Sequence, residues 1–437
     1  MMTDDIGTTL RRQAMLPFQF IVVAICIAIN VLDGFDALAS AFTAPSIARE
    51  WGLRPTALGF LLSASLAGMA IGSVLIAPFG DRIGRRPIVL GCLVLVSATM
   101  LASAAARNVW QLAALRLVTG LGVGGIIPGI NTLVAEYASA RRRDLALSMT
   151  TVGYAVGAIL GGAVSGFLIG NYGWRAAFLA GGVLSALMVP VAVIWLPESL
   201  DILAMRQPRH ALDRLNGVLR KLGQPALREL PAKPAHAQAR SAIRTLFQAE
   251  LRRATVLTCA CYLLVMLTNY FLLSWTPKIL VDMGMSVQSG ISGAVVMNLA
   301  GVIGGIVLGW LTGRYGLRRI SVAYLSLCFL SVAWFGFMSA SSPGLFAATA
   351  LIGFLITGAV ACLNALAPRM FSPDVRTTGT GLALGFGRLG GTAGPYLAGL
   401  LIAAGWSRPI YSIALAAPLL AAALIFSLAL AKEGATT

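Results

Sequence analysis

The sequence predicts an all-α membrane protein whose twelve transmembrane helices form two similar six-helix bundles. Of its 437 residues, 58% are hydrophobic and only 11% are charged, and the mean hydropathy is +0.83. A soluble domain carries about 25% charged residues and cannot cover this much apolar surface with one core. We therefore expect the lipid bilayer to cover part of the protein.

Twelve apolar runs separated by polar turns carry this prediction, because about 20 apolar residues in a helix cross the hydrocarbon layer. A polar stretch divides them into two sets of six. We predict an N-terminal bundle over 1–196, a cytoplasmic central loop over 197–253 and a C-terminal bundle over 254–437. The predicted spans are 17–46, 55–79, 87–106, 109–137, 144–170, 174–196, 254–280, 288–312, 319–339, 344–370, 377–403 and 407–431.

The net charge of +17 is distributed unevenly between alternate loops. A nucleic-acid-binding protein gathers Arg and Lys on one polar face, whereas here they lie in short clusters between apolar runs, so no nucleic-acid partner is expected. The loops on the side of the N-terminus hold most of these residues. Basic loops stay in the cytoplasm, and both termini are therefore predicted to be cytoplasmic.

The residue types that catalysis or metal binding needs are sparse in this chain. All six cysteines lie in apolar runs without disulfide or metal-ligand spacing, and both histidines lie in the central loop. We find no phosphate-binding glycine loop and no nucleophile–base arrangement. The sequence therefore indicates neither an enzyme nor an ATP-driven pump, and it predicts no cofactor and no metal.

The two halves of the chain repeat one another at an offset of about 232 residues. Gly80-Asp-Arg-Ile-Gly-Arg-Arg86 after span two matches Gly313-Arg-Tyr-Gly-Leu-Arg-Arg319 after span eight. At nearly the same offset Arg143 pairs with Arg376, and Gly157 and Gly161 pair with Gly390 and Gly394. A duplicated six-helix unit is what an alternating-access transporter needs, because two similar bundles can rock around a site between them.

Span one carries two carboxylates, Asp33 and Asp36, about midway along an apolar helix. Three positions apart, they lie on one face, and each costs about 2.5–3.5 kcal/mol when charged at mid-membrane. Neighbouring carboxylates disfavour joint ionisation and titrate as a unit. We therefore predict that Asp33 and Asp36 couple transport to protons. The alternative is that either residue permanently hydrogen-bonds or caps a neighbouring helix.

Arg388, near the middle of span eleven, is the predicted partner of a carboxylate substrate. An unpaired guanidinium is not tolerated there, and its fork can hold a carboxylate bidentately. Asp33 or Asp36 is expected to hold Arg388 when substrate is absent. Arg116 in span four is the second candidate. A permanent ion pair without substrate contact is the alternative for Arg388.

Aromatic and amide side chains are predicted to shape the rest of a substrate cavity by ring stacking and hydrogen bonding. Taken singly, each can equally join helices or anchor the protein at the membrane boundary. The candidates are Tyr154, Tyr262, Asn269, Tyr270, Trp275, Asn298 and Asn364.

The segment Ala77-Pro-Phe-Gly-Asp-Arg-Ile-Gly-Arg-Arg86 resembles the signature loop of the major facilitator superfamily. Asp33-Gly-Phe-Asp36, Asn269 to Lys278 and Gly385 to Gly390 narrow the resemblance to its aromatic acid:H⁺ symporter family. The resemblance implies a monomeric transporter of the bacterial inner membrane, driven by the proton gradient. It also implies a cytoplasmic gate. The gating candidates are Asp81, Arg82, Arg86, Glu136, Arg143 and Arg376.

The expected function is import of a hydroxybenzoate-like carboxylate with protons. One alternative keeps the fold and changes the cargo to an aliphatic acid, a sugar or an exported drug. The other is a sensor that binds the acid without net flux, which normally requires a soluble partner-binding domain. The central loop is short and interrupted by proline, so transport is the favoured interpretation.

Overall fold

The computed structural model describes residues 15–139, 142–207, 210–227, 229–230, 245–342, 344–371 and 375–429. Within these ranges the elements are α-helices of very different length. In chain order they are α1 (Pro17–Trp51), α2 (Pro55–Leu75), α3 (Ala77–Ile83), α4 (Arg85–Ala104), α5 (Val109–Tyr137), α6 (Arg143–Tyr172), α7 (Trp174–Trp195), α8 (Leu200–Arg206), α9 (Ala211–Lys221), α10 (Ala249–Asp282), α11 (Val287–Tyr315), α12 (Leu317–Phe337), α13 (Leu345–Met370), α14 (Arg376–Ala403) and α15 (Arg408–Ala429).

Twelve of the described helices are 20 residues or longer, one for each predicted span. Eleven of them are long and apolar enough to cross a membrane by length and composition. The twelfth, α14, has 28 residues, and its glycines and Arg388 lower its hydropathy. The predicted twelve-helix fold is confirmed, and the chain is a multi-pass membrane protein.

Local chemistry explains where several helices begin. Proline occupies the first position of α1 and α2, where its missing N–H is not needed. The Asn108 side chain accepts a hydrogen bond from the Gln111 N–H at the start of α5, and Ser286 does the same for the Ser289 N–H at the start of α11. Helices α8 and α9 lie in the predicted central loop, which is therefore partly helical.

The two halves pack their helices in the same way. In the N-terminal half α2 packs on α5, α1 on α6, and α4 on both α5 and α7. The equivalent pairs in the C-terminal half are α11 with α13, α10 with α14, and α12 with α13 and α15. Arg143 and Arg376 begin the equivalent helices α6 and α14. The pseudo-symmetric pair of bundles predicted from the repeat is confirmed.

The repeated glycines allow close contact between equivalent helices. A methyl group added at Gly157 would collide with the Val31 carbonyl of α1, and one added at Gly390 would collide with the Leu263 carbonyl of α10. Residues 31 and 263 are themselves 232 positions apart. Small residues let membrane helices pack backbone to backbone. The repeated glycines therefore reflect the same helix packing in the two halves of the chain.

The two bundles meet along α2 with α14, α6 with α11 and α1 with α10. On α14, residues 381, 385, 388, 395 and 399 are spaced by three, four or seven positions and therefore share one face. At the end of this face next to the loop after α1, the Cβ position of Gly399 lies 3.1 Å from the Gly59 Cα of α2. At the other end, a methyl group added at Gly381 or Gly385 would meet no heavy atom within 4 Å. The bundles therefore touch at one end and separate at the end that carries α3.

Candidate functional site

A cavity of about 200 Å³ lies between the two bundles. Leu66 and Met69 of α2, Ile127 of α5 and Tyr154 of α6 form its N-terminal side. Its C-terminal side consists of residues from α10 and α14, namely Met266, Tyr270, Leu384, Gly387, Arg388 and Gly391. Ligand sites for drug-sized molecules measure about 300–1,000 Å³, so this cavity suits a small ligand with a single ring. Its walls are mainly apolar, with a few polar groups from both halves.

Arg388 is the cationic group of the cavity and lies half-buried on α14. Its Nη1 donates to the Met69 carbonyl oxygen of α2 over 2.7 Å, so the bond joins the two bundles. A guanidinium has five N–H donors, and this bond uses one of them. The sequence analysis expected Asp33 or Asp36 to hold Arg388. In this structure Arg388 bonds to a backbone carbonyl. Asp36 pairs with Arg116 instead, and Asp33 forms no ion pair among the described residues.

Tyr154 and Tyr270 bring two phenol groups to the same cavity from opposite bundles. The Tyr154 hydroxyl is buried and lies close to the Tyr270 hydroxyl, without forming a regular hydrogen bond. The Tyr270 ring packs against Gly391 of α14, where a larger residue would displace it. A buried hydroxyl without a regular hydrogen bond costs free energy, so a ligand that pairs with the Tyr154 hydroxyl recovers that cost.

Asp36 and Arg116 form an ion pair inside the N-terminal bundle. Arg116 Nη1 lies 2.7 Å from Asp36 Oδ1, and both side chains are at most 1% exposed. Arg116 Nη2 also donates to the hydroxyls of Ser103 and Thr119 at 2.9 and 2.8 Å. The guanidinium stacks on the Phe178 ring at 4.9 Å. Arg116 therefore lies apart from the cavity lining, and its predicted contact with substrate stays a prediction that this arrangement does not favour.

Asp33 lies next to this pair on the same face of α1, and its side chain is 2% exposed. Its Oδ2 is buried without a hydrogen-bond partner, as is Asp36 Oδ2. Between them, Gly34 lies directly against the backbone of Tyr154, and a methyl group on Gly34 would collide with the Tyr154 carbonyl. The acidic pair therefore lies immediately behind the cavity wall that Tyr154 forms.

The other predicted ligand residues are distributed around the C-terminal bundle. The Tyr262 hydroxyl donates to Asn364 Oδ1 at 3.3 Å, and its ring packs near Gly387 of the cavity. Trp275 is buried and donates from Nε1 to the Pro395 carbonyl of α14 at 2.9 Å. Asn298 bonds to its own helix at the Ala294 carbonyl. All five of these residues lie outside the described lining, and their role as ligands stays a prediction: Tyr262, Asn269, Trp275, Asn298 and Asn364.

The predicted cytoplasmic gate contains an ion pair at the end that carries α3. Glu136 at the end of α5 pairs with Arg85, the first residue of α4. Glu136 also accepts hydrogen bonds from the Ser199 hydroxyl at 2.9 Å and the Leu200 N–H at 3.0 Å. Arg86 donates instead to the Val193 carbonyl of α7 at 2.5 Å. The Asp81 side chain lies outside the described residues, and the gating roles of Arg82, Arg143 and Arg376 stay predictions.

Glu198 completes this cluster, and neither it nor Arg85 was among the predicted site residues. Glu198 Oε1 accepts the N–H groups of Arg85, Arg86 and Ser199 at 2.8, 3.1 and 2.9 Å. It therefore caps α4. The residue before α4, Gly84, has a φ of 121°, and a Cβ at this position would collide with the Glu198 carboxylate. The sequence signal was present in Pro197-Glu198-Ser199, but only the fold brings this segment to the start of α4.

The apolar cavity walls were also missed by the sequence analysis. Leu66, Met69, Ile127, Met266 and Leu384 line the cavity, but in an apolar helix such residues look the same as lipid-facing ones. Gly387 and Gly391 carried a usable signal, because they lie one helical turn apart and flank Arg388.

Comparison with known proteins agrees with this architecture. The model of the Major Facilitator Superfamily matches residues 24–339 and 293–436. The gallate transporter of Pseudomonas putida is 34% identical over 426 residues, which cover 96% of this chain and 94% of that protein. The 4-hydroxybenzoate transporter PcaK of Pseudomonas putida is 32% identical over 412 residues, which cover 92% and 90%.

A solved structure has the same fold at low sequence identity. The inward open conformation of the xylose transporter XylE from E. coli aligns with a TM-score of 0.72 and 18% identity, covering 93% of this chain and 95% of that one. The twelve helices, the paired bundles, the cavity between them and these relatives lead to one assignment. The chain belongs to the major facilitator superfamily, within the group that contains these aromatic-acid transporters.

Proposed function

We propose that this protein imports a small hydroxybenzoate-like carboxylate together with protons by alternating access. The observation that carries the proposal is the position of Arg388 in an apolar cavity between the two bundles. A planar guanidinium binds a carboxylate through two parallel hydrogen bonds, and the leucine, methionine and isoleucine side chains around it suit an aromatic ring. The names of the gallate and 4-hydroxybenzoate transporters support the same substrate class.

The Tyr154 hydroxyl, close to the Tyr270 hydroxyl but without a regular hydrogen bond, favours a substrate with a ring hydroxyl. It lies in the same cavity as Arg388 and can donate to or accept from such a group. Sites that hydrogen-bond a substrate hydroxyl reject analogues that lack it. We therefore propose hydroxylated benzoates over benzoate as preferred cargo.

Proton coupling is assigned to Asp33, with Asp36 as its neighbour. Asp36 already has a cationic partner in Arg116, whereas Asp33 has no ion-pair partner among the described residues. Because Gly34 packs on Tyr154, a change of charge at Asp33 acts directly behind the substrate site. Protonation in this position removes a costly buried charge and permits the bundles to rearrange when substrate is bound.

The bundles touch at the Gly399 end of α14 and are separated at the Gly381 end. This supports an inward-open conformation of a rocking-bundle transporter. We place the Gly59–Gly399 contact on the periplasmic side of the bacterial inner membrane and the separated Gly381 end in the cytoplasm. This orientation puts both termini in the cytoplasm, in agreement with the positive-inside rule. Each chain holds a complete cavity, so a monomer is sufficient for transport.

The test is uptake of radiolabelled aromatic acids into cells that express the protein, with and without a protonophore. We expect accumulation of one or a few hydroxylated benzoates, and we expect the protonophore and each of Asp33→Asn, Asp36→Asn and Arg388→Ala to abolish it. Absence of uptake above empty-vector cells contradicts the proposed substrate class. The same cells are then screened with aliphatic acids, sugars and exported drugs. These are the alternative substrates for a transporter of this fold.

A further inference from the structure

A second cavity, of about 560 Å³, lies at the end of the N-terminal bundle that carries α3. It is bounded by the ends of α1, α4 and α7, which belong to membrane spans, and is covered by α9 of the central segment. It is remote from the substrate cavity, with which it shares no lining residue. We call it the interfacial pocket.

One wall of the interfacial pocket is apolar and continuous with the lipid-facing surface. Leu90 of α4 contributes to it, together with Ile194 and Trp195 of α7, which are 68% and 46% exposed. Residues this exposed at the end of a membrane span face lipid, and tryptophan is enriched at the level of the headgroups. The pocket therefore opens toward the bilayer at the depth where headgroup and acyl chain meet.

The rim of the pocket is basic. Arg86, Arg214 and Lys221 all line it. The acid in the lining, Glu198, already accepts three backbone N–H groups through Oε1, and it does not form an ion pair with these cations among the described residues. Arg86 donates from Nη2 to the Val193 carbonyl, and its Nε has no hydrogen-bond partner. The rim thus presents positive charge to an anion.

Helix α9 fits this position because it is amphipathic. Ala211, Leu215 and Leu219 are buried, whereas Arg214, Arg220 and Lys221 are exposed. Lys221 Nζ lies 5.1 Å from the centre of the Phe18 ring of α1. A basic amphipathic helix at a membrane surface is attracted to anionic lipid, with about 1 kcal/mol per basic residue near the surface.

We infer that the interfacial pocket binds an anionic phospholipid of the adjacent leaflet. Its phosphate lies among Arg86, Arg214 and Lys221, and an acyl chain lies along Leu90, Ile194 and Trp195. A free phosphate would satisfy the rim but not the apolar wall, and a neutral lipid would satisfy the wall but not the rim. The bound lipid joins α9 to α4 and α7, and thus stabilises the central segment against the N-terminal bundle.

The test is native mass spectrometry of the delipidated full-length protein in detergent, titrated with phosphatidylglycerol or with phosphatidylcholine of the same acyl chains. We expect selective retention of phosphatidylglycerol and a higher unfolding temperature with it. The Arg214→Gln/Lys221→Gln double variant should weaken that retention roughly tenfold or more. The matched control is Arg220→Gln, because Arg220 is exposed on the same helix but does not line the pocket.

Equal retention of the two lipids would overturn the inference, as would full retention of phosphatidylglycerol by the double variant. A third arm adds inorganic phosphate. If phosphate alone displaces the lipid and raises the unfolding temperature equally, the pocket is a free-anion site and the assignment to lipid is wrong. The single variants Arg214→Gln and Lys221→Gln are measured in parallel, and each must unfold without lipid at the temperature of the parent protein.

Discussion

Arg388 on α14 donates a hydrogen bond over 2.7 Å to the backbone carbonyl of Met69 on α2, although the two residues are 319 positions apart in the chain. The bond crosses from one bundle to the other inside the substrate cavity. A carboxylate that binds the guanidinium competes with, or adds to, this contact between the bundles. Substrate binding and bundle arrangement are therefore linked through one side chain.

Replacing Arg388 tests this link directly. We expect Arg388→Ala to weaken binding of a hydroxybenzoate by about 10- to 150-fold, the range for loss of a hydrogen bond to a charged group. Arg388→Lys should restore part of the affinity, because it keeps the charge and loses the bidentate geometry. Equilibrium binding to purified protein measures both, with Arg49→Gln, an exposed arginine near the far end of α1, as the control.

Substitutions of Asp36 and Arg116 are expected to have non-additive effects on the stability of the protein, because the two residues form a buried ion pair. Removing one partner of a buried ion pair leaves an uncompensated charge and costs about 3–5 kcal/mol. We expect Arg116→Leu to lower the unfolding temperature strongly, and Asp36→Asn added to it to recover part of the loss. A double-mutant cycle of thermal unfolding in detergent checks this. Purely additive losses would contradict a pairwise role.

We expect replacement of Asp33 to abolish proton coupling while substrate still crosses the membrane. In proteoliposomes, Asp33→Asn should abolish uphill accumulation driven by a proton gradient while retaining exchange of labelled for unlabelled substrate. The physical reason is that an amide cannot gain or lose the proton, whereas the cavity residues Arg388 and Tyr154 remain intact. Accumulation at the parent level by Asp33→Asn would show that another group carries the proton.

The glycines of α14 predict opposite effects at its two ends. Gly399→Val should destabilise the present conformation, because Cβ at this position already lies near Pro55 and Gly59 of α2. Gly385→Val should leave this conformation intact, since no heavy atom lies near its Cβ position. If the bundles rock, Gly385→Val nevertheless hinders closure of that end. Its expected signature is normal substrate binding with slowed transport, measured on the same purified preparation.

Ring hydroxyl recognition is tested at Tyr154. We expect Tyr154→Phe to reduce affinity for hydroxylated benzoates severalfold, the net value of one hydrogen bond being about 0.5–1.5 kcal/mol. Affinity for unsubstituted benzoate should change little. An equal loss for both ligands would assign Tyr154 a packing role alone.

The sequence predicted the elements of the fold well and the contacts of the site only in part. Apolar length predicted the twelve helices, because the bilayer fixes how long a spanning helix must be. Arg388, Tyr154 and Tyr270 were among the candidate ligand residues, and they line the cavity. Arg116 was also a candidate, and the structure instead pairs it with Asp36. A single charged residue in an apolar run indicates that it has an ionic or hydrogen-bonding partner, but the sequence does not show which residue that partner is.

By itself, the sequence determined the class, the twelve spans and the duplication. These depend on amino-acid composition, on the length of the apolar runs and on the repeat between the two halves. All three can be obtained from the order of residues along the chain. Only the tertiary structure decided which carboxylate pairs with which arginine, which apolar residues face the cavity, and which end of the interface is closed. Asp36 pairs with Arg116 rather than Arg388 because the packing of α1, α4 and α5 brings those groups together. Partner choice in a low-dielectric interior is a matter of distance, which the linear order of residues does not contain.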